Sequence, residues 1–398
     1  MAALRSPKIS EMLRGQEEAF ATLAEGRRSV APDGYDLWIH AASLGEFEQG
    51  RPFIERYRSR FPDRKILLTF FSPSGYRVRH NYDKVDTVVY LPFDTPALSA
   101  RFIEAAAPAM AIFVKYEFWG NYLRQLSSRG IPTYIISAIF RPGQRFFRPG
   151  GAMFRRMLRC FTKLYVQDER SQSLLTGIGI NNVAVTGDTR FDRVTDILAG
   201  AHEVPVIKRF ADNSPFTIVV GSSWQPDEQI YIPWLKAHPE VRAIIAPHEF
   251  DEHRLRELEH QLGSGTRRLT SIPDQDALDG SERYIIVDCF GLLSSIYRYG
   301  SAAYVGGGFG TGIHNINEAA VYGIPVVFGP RHNKFKEATD LIDCGGGFSI
   351  SEATAAHTLL DRLLTDTDFR TGAGSAAGKY ISTHIGATDA IFNDIFPE

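Results

Sequence analysis

Glu46 is the first residue in this chain whose type and setting suggest chemistry. It ends the run Trp38-Ile39-His40-Ala41-Ala42-Ser43-Leu44-Gly45-Glu46, which reads as a strand, a turn of small residues and a helix start. A carboxylate at the exit of a strand, partly withdrawn from water, acquires a raised pKa and can take a proton from an attacking hydroxyl near neutral pH. The position equally suits a first-turn carboxylate stabilised by the helix dipole, and spacing alone does not separate the two. Lys115-Tyr116-Glu117-Phe118-Trp119 repeats the arrangement after another strand, its charges set either for ligand work or as an ion pair rimming a cleft. Thr69 to Gly75 is a strand exit with small hydroxyl residues. In Gly187-Asp188-Thr189-Arg190-Phe191-Asp192 the guanidinium of Arg190 could hold a phosphate or carboxylate through two bonds.

A second group of candidates lies in the other half. Gly221-Ser222-Ser223-Trp224 follows a strand with side chains small enough to admit a phosphate. Pro247-His248-Glu249 follows the next strand, and Phe290-Gly291-Leu292 opens a helix. Gly306-Gly307-Gly308-Phe309-Gly310-Thr311-Gly312 runs through His314 into Asn315-Ile316-Asn317-Glu318 at another helix start. Glycine-rich loops that lead to helix N-termini present N–H groups to anions, and Glu318 could accept from two ribose hydroxyls. The alternative is a tight strand-to-helix turn with Glu318 as its capping carboxylate. No GxGxxG follows the first strand of this half, which counts against an NAD fold.

These residues need a scaffold that brings strand ends together. Strands are expected at residues 36–41, 65–71, 87–91, 110–115, 131–136 and 163–167, with helical patterns between them. After a polar stretch at 199–215 the pattern restarts, with strands at 216–221, 241–246, 284–288, 302–306 and 326–328. Strands alternating with helices imply parallel βαβ units, and two such sets imply an α/β chain of two Rossmann-like domains. We expect residues 1–200 and 201–398 to form these domains, facing each other across a deep cleft. The final helical stretch, 368–396, is expected to cross back over the N-terminal domain.

Bulk properties agree with a globular enzyme. With 398 residues, 44% of them hydrophobic, the chain exceeds one ordinary core. A formal net charge of −2 gives no general attraction to nucleic acid. Three cysteines, Cys160, Cys289 and Cys344, form no CxxC pair, which argues against a disulfide framework or a thiolate zinc site. No apolar run reaches the ~18 residues of a membrane span. Residues 140–163 stand apart, with Arg141, Arg145, Arg148, Arg155, Arg156, Arg159 and Lys163, five phenylalanines and no acidic residue. Such a mixture suits an anionic lipid surface. A solvated helix face over core phenylalanines, or RNA binding, are the other readings.

The segments His40 to Glu46, Glu117-Phe118-Trp119 with Asn121, Gly187 to Asp192, and Gly306 to Gly308 with His314, Asn315, Asn317 and Glu318 stand in one order at particular separations. Together they resemble the 3-deoxy-D-manno-octulosonic acid (Kdo) transferases of lipopolysaccharide assembly, from about Trp38 to the C-terminus. The resemblance implies a GT-B fold, CMP-Kdo as donor and a lipid A precursor as acceptor, at the cytoplasmic face of a bacterial inner membrane. It implies an inverting displacement with Glu46 as general base and Lys115, Glu117 and Arg190 beside it. It further implies CMP contacts from Ser222, Ser223, Pro247, His248, Phe290, Gly291, Leu292, Gly307, Gly308, Asn315, Ile316, Asn317 and Glu318. Neither a metal nor a resident cofactor is expected.

The sequence departs from the family pattern at four places. Lys115 replaces a carboxylate two residues before the Glu of the Glu-x-Trp pattern, Arg190 stands where Lys is frequent, Gly120 stands where Pro is frequent, and no Arg separates Pro247 from His248. Family members usually begin with a membrane anchor, whereas this chain opens with polar residues from Met1. A UDP-sugar transferase, a nucleotide-sugar epimerase, or a non-catalytic nucleotide- or lipid-binding module are the alternatives.

Overall fold

A computed structural model describes residues 7–274 and 277–397. The polar opening, residues 1–6, lies outside the described residues. The chain divides into two compact units, residues 1–193 with 384–398, and residues 194–383.

The first unit is built on a parallel sheet of seven strands: β1 Leu37–His40, β2 Ile66–Phe70, β3 Thr87–Tyr90, β4 Ala111–Val114, β5 Thr133–Ala138, β6 Lys163–Val166 and β7 Val183–Val185. Their spatial order is β3-β2-β1-β4-β5-β6-β7. Alternation along each strand feeds two cores, one on each face. Trp38, Leu67, Ala111 and Phe113 point to one side, where Phe102, Tyr122 and Leu126 cover them. Leu37, Ile39, Leu68, Ile112 and Val114 point to the other, against Phe47, Phe53 and Ile54.

That second core is closed by the C-terminus. Ile391 and Phe392, from the helix Ala387–Ile395, are buried in it. Asp192 caps this helix by accepting from the Gly386 and Thr388 N–H groups at 2.5 and 2.6 Å. Asp394 holds it to β6 through Lys163 Nζ and the Tyr165 hydroxyl at 2.8 and 2.6 Å. The single helix expected over 368–396 is two helices, Thr367–His384 and Ala387–Ile395, separated at Gly386 with φ +100°.

The second unit repeats the design with β8 Thr217–Ser223, β9 Arg242–Pro247, β10 Thr266–Arg268, β11 Tyr284–Ile286, β12 Ala302–Val305, β13 Val326–Phe328 and β14 Gly347–Ser349, in the order β10-β11-β9-β8-β12-β13-β14. Phe216, Ile218, Val220, Trp234, Tyr284 and Tyr304 fill its core. In both sheets the strand order reverses beside the first strand, between β1 and β4 and between β8 and β12. Such a reversal leaves a crevice at the carboxyl ends of the strands, where open α/β sheets bind ligands.

Residues 140–163 do not form one amphiphilic patch. Phe140, Phe146 and Phe161 are buried in the first unit's core, with Phe147 and Phe154 packed against it. Arg155 turns inward and donates to the Phe146 carbonyl at 3.1 Å, and Lys163 pairs with Asp394. Arg141, Arg145, Arg148, Arg156 and Arg159 remain exposed.

Candidate active site

In the first unit the β1 exit and the β4 exit flank the reversal point. Ser43 caps the helix Leu44–Arg60, and Glu46, in its first turn, returns a bond by accepting from the Ser43 N–H at 3.2 Å. Glu46 is therefore a capping residue, yet it titrates unlike one. Burial, and then the negative charge of Glu117, push its carboxyl up to about 7, against the smaller pull of backbone N–H groups and Lys115. At neutral pH a large fraction is ionised and ready to accept a proton.

Glu117 turns toward the sheet. It is buried, accepting from His40 Nε2 at 3.1 Å and from the Trp119 indole N–H. Lys115 has φ +67°, a conformation that side chains other than glycine rarely adopt, and its Nζ lies 5.3 Å from the centre of the Tyr116 ring. Ser137, just inside the end of β5, and Ser222, at the end of β8, share this strained geometry, with φ +52° and +53°. Ala107, the remaining non-glycine residue of this kind among the described ones, ends a helix. Of these, Lys115 and Ser222 place backbone strain at strand ends beside the two reversal points.

Arg190 is oriented by Asp188, which accepts from its Nε and Nη2 at 3.0 and 2.8 Å and from Gln49 and Gln167 at 2.8 and 3.0 Å. Asp188 is wholly enclosed, which would raise its pKa, but the Arg190 charge and these donors hold it below the usual carboxylate range. The Tyr116 hydroxyl is raised by burial, while Arg141 and Arg190 oppose the shift. Glu46, Arg141 and Arg190 all act electrostatically on Tyr116, and Lys115 acts on Glu46, so these groups lie near one another.

In the second unit the β8 and β12 exits approach so closely that only glycine fits. A Cβ on Gly306 would lie 2.4 Å from the Ser222 carbonyl oxygen, and one on Gly308 would lie 2.6 Å from Gly329. Asp227, buried, fastens the two exits together by accepting from the Trp224 and Gly307 N–H groups, both at 2.9 Å, and from the Tyr304 hydroxyl at 3.1 Å. Beside it stand three rings. Trp224 stacks on His248 at 4.3 Å, and His248 on His314 at 4.6 Å. Burial and the neighbouring His248 depress His314 to about 4, so it is neutral at pH 7 and its Nε2 accepts from Trp224 Nε1 at 3.2 Å.

Several expected donor contacts take other roles. The Ser223 hydroxyl is buried against Tyr231, at 3.3 Å, and the Gly307 N–H is held by Asp227. Asn317 is buried, with its Oδ1 unbonded among the described residues. The helices that open after Leu292 and Ile316 are single turns of four residues, so their dipoles are small. Pro247 ends β9, and Gly291 turns with φ +85°. Phe290 is 86% exposed. Asn315 Nδ2 donates to Glu318 at 2.9 Å, in the first turn of the helix that ends the glycine-rich loop.

Asp227 and His40 are the functional candidates that sequence reasoning passed over. An acidic residue three positions into a helix reads as a cap, and a histidine in an apolar strand reads as core.

Residues 14–193 match the family model described as 3-deoxy-D-manno-octulosonic-acid transferase (kdotransferase). The 3-deoxy-D-manno-octulosonic acid transferase of Bordetella pertussis is 27% identical over 94% of this chain and 90% of its own length. That of Aquifex aeolicus is 26% identical over 83% of this chain and 86% of its own length. The chain is similar to these Kdo transferases over most of its length. It is accordingly a glycosyltransferase. The fold agrees: MurG of Acinetobacter baumannii superposes with a TM-score of 0.58 at 12% identity, over 91% of this chain and 99% of that one. The UDP-GlcNAc 2-epimerase of Neisseria meningitidis superposes at 0.55 and 15% identity, over 91% and 100%. At those identities the likeness speaks for a GT-B-like fold and not for a shared substrate. Among the described residues no helix of this chain is long and apolar enough to cross a membrane.

Proposed function

We propose that this chain transfers Kdo from CMP-Kdo to a lipid A precursor, with inversion at the anomeric carbon and Glu46 as the general base. The observation that carries this reading is the Glu46 carboxyl, lifted to about 7 at the sheet's reversal point within the Kdo transferase domain. The acceptor hydroxyl oxygen attacks the anomeric carbon as its proton passes to Glu46, and the bond from that carbon to the phosphate oxygen of CMP breaks. Its electron pair leaves with the phosphate. Arg190 and Lys115 face anionic groups of the sugars. In the second unit, Glu318 serves the ribose and His248 with the Gly308 N–H serves the phosphate. The exposed Arg141, Arg145, Arg148, Arg156 and Arg159 suit an acceptor presented from an anionic bilayer, as at the cytoplasmic face of an inner membrane.

The test is Glu46→Gln, which keeps the side chain's shape and removes the base. Sugar transfer should fall at least about a hundredfold while CMP affinity stays within error. Transfer above about a tenth of wild type would contradict the role.

A further inference from the structure

A chain of polar groups runs through the otherwise apolar face beneath the proposed base. Trp38, His40 and Thr69 share that face of the first sheet, with His40 and Thr69 paired in register across β1 and β2. Thr69 Oγ1 accepts from Trp38 Nε1 at 2.9 Å and lies 2.8 Å from His40 Nδ1. The other nitrogen, His40 Nε2, lies 3.1 Å from Glu117 Oε2. The one Thr69 hydroxyl proton has two acceptors in reach, His40 Nδ1 at 2.8 Å and the Ile39 carbonyl at 3.4 Å; given to the nearer, Nδ1, it places the imidazole proton on Nε2, aimed at Glu117. His40 is wholly buried, and the Phe113 and Trp119 rings fix it edge-on at 5.8 and 5.7 Å. Both its nitrogens are engaged, so it has no contact left to offer a sugar.

The oxygens of a side chain as deeply placed as Glu117 need donors to meet them, and His40 and Trp119 stand at that position. We propose that His40 is a positioning residue of the transfer reaction: from behind the site its Nε2 fixes the Glu117 carboxylate at the exit of β4, next to the β1 exit that carries Glu46. This rests on the reading of Glu46 as the base. After burial, Glu117 is the largest influence raising the Glu46 carboxyl. The other charge facing Glu46 is Lys115, from the same loop after β4, and it acts the opposite way. From the neighbouring strand exits, Arg141 after β5 and Asp188 with Arg190 after β7 face the intervening Tyr116.

Two amides separate the sides of the imidazole. In His40→Asn the amide reaches Thr69 but not Glu117, and in His40→Gln it reaches Glu117. The experiment is the pH dependence of kcat/KM for sugar transfer in wild type, H40N, H40Q and Glu117→Gln, with melting temperature and CMP affinity measured alongside. Wild type should lose activity below a midpoint near 7. E117Q and H40N should both move that midpoint down by about one pH unit, with a plateau lower by roughly tenfold because the base is weaker. H40Q should stay with wild type, and CMP affinity should not change in any variant. H40N losing rate with its midpoint unmoved would reduce His40 to packing and overturn the proposal, as would H40Q shifting as far as E117Q. If Glu46→Gln retained transfer, the underlying reading would fail instead, and separately.

Discussion

A carboxylate in the first turn of a helix ordinarily ionises more easily than in water. Glu46 does the reverse, because burial and Glu117 outweigh the capping bonds it makes. The consequence for stability has a definite sign. Between about 4.5 and 7 the folded chain binds a proton at Glu46 that the unfolded chain has released, so stability falls as pH rises through that window. Glu46→Gln should therefore raise the melting temperature at pH 8 relative to wild type and leave it nearly unchanged at pH 4. A melting temperature that drops at pH 8 would show that the ionised carboxylate stabilises the fold. The sequence spacing made both roles of Glu46 legible, cap and base; the structure shows the cap, with the carboxyl raised as the proposed base requires. The tuning was not legible, since Glu117 meets Glu46 and His40 only through the pairing of β1 with β4, far apart along the chain.

Most elements could be read from alternation and helical period, and the three strands missed share one property. β7, β10 and β14 are sheet edges of three residues each, half-exposed, with little apolar pattern to announce them. The phenylalanines of residues 140–163 misled in the other direction, because composition shows aromatic content but not which side of the chain is core. At the second unit's reversal point the glycines are required by approach distance. Gly306→Ala should push the β8 and β12 exits apart, costing about 1–3 kcal/mol and weakening CMP binding at least tenfold. Asp227 Oδ2 accepts both N–H groups, so Asp227→Ala, which removes that acceptor, should weaken CMP binding with transfer at saturating donor much less affected. Titration calorimetry against steady-state kinetics checks both. Phe392 is buried against Phe53, Phe61 and Phe396, so Phe392→Ala should cost about 3–5 kcal/mol, read as an earlier unfolding transition.

Across the whole chain, two sheets of the same kind each reverse order beside their first strand, and each candidate site grows from that reversal. The fold class was legible because βαβ alternation restarts midway. The division was harder to place: it falls at Arg193 and Val194, inside the helix Arg190–Gly200, where no loop composition marks it. Surface charge follows a similar lesson, since a net charge of −2 conceals five exposed arginines within 20 residues of one another. Arg148, Arg156 and Arg159 reversed to Glu should reduce co-sedimentation with anionic vesicles at low salt severalfold, with the difference shrinking as salt rises. Equal binding by wild type and variant would remove the bilayer from the account. The most direct test of the central claim is mass analysis of a lipid A precursor after incubation with the protein and a CMP-Kdo generating system. The account predicts acceptor mass increased by whole Kdo units with wild type and an unmodified acceptor with Glu46→Gln. Kdo addition by both proteins, or by neither, would contradict it.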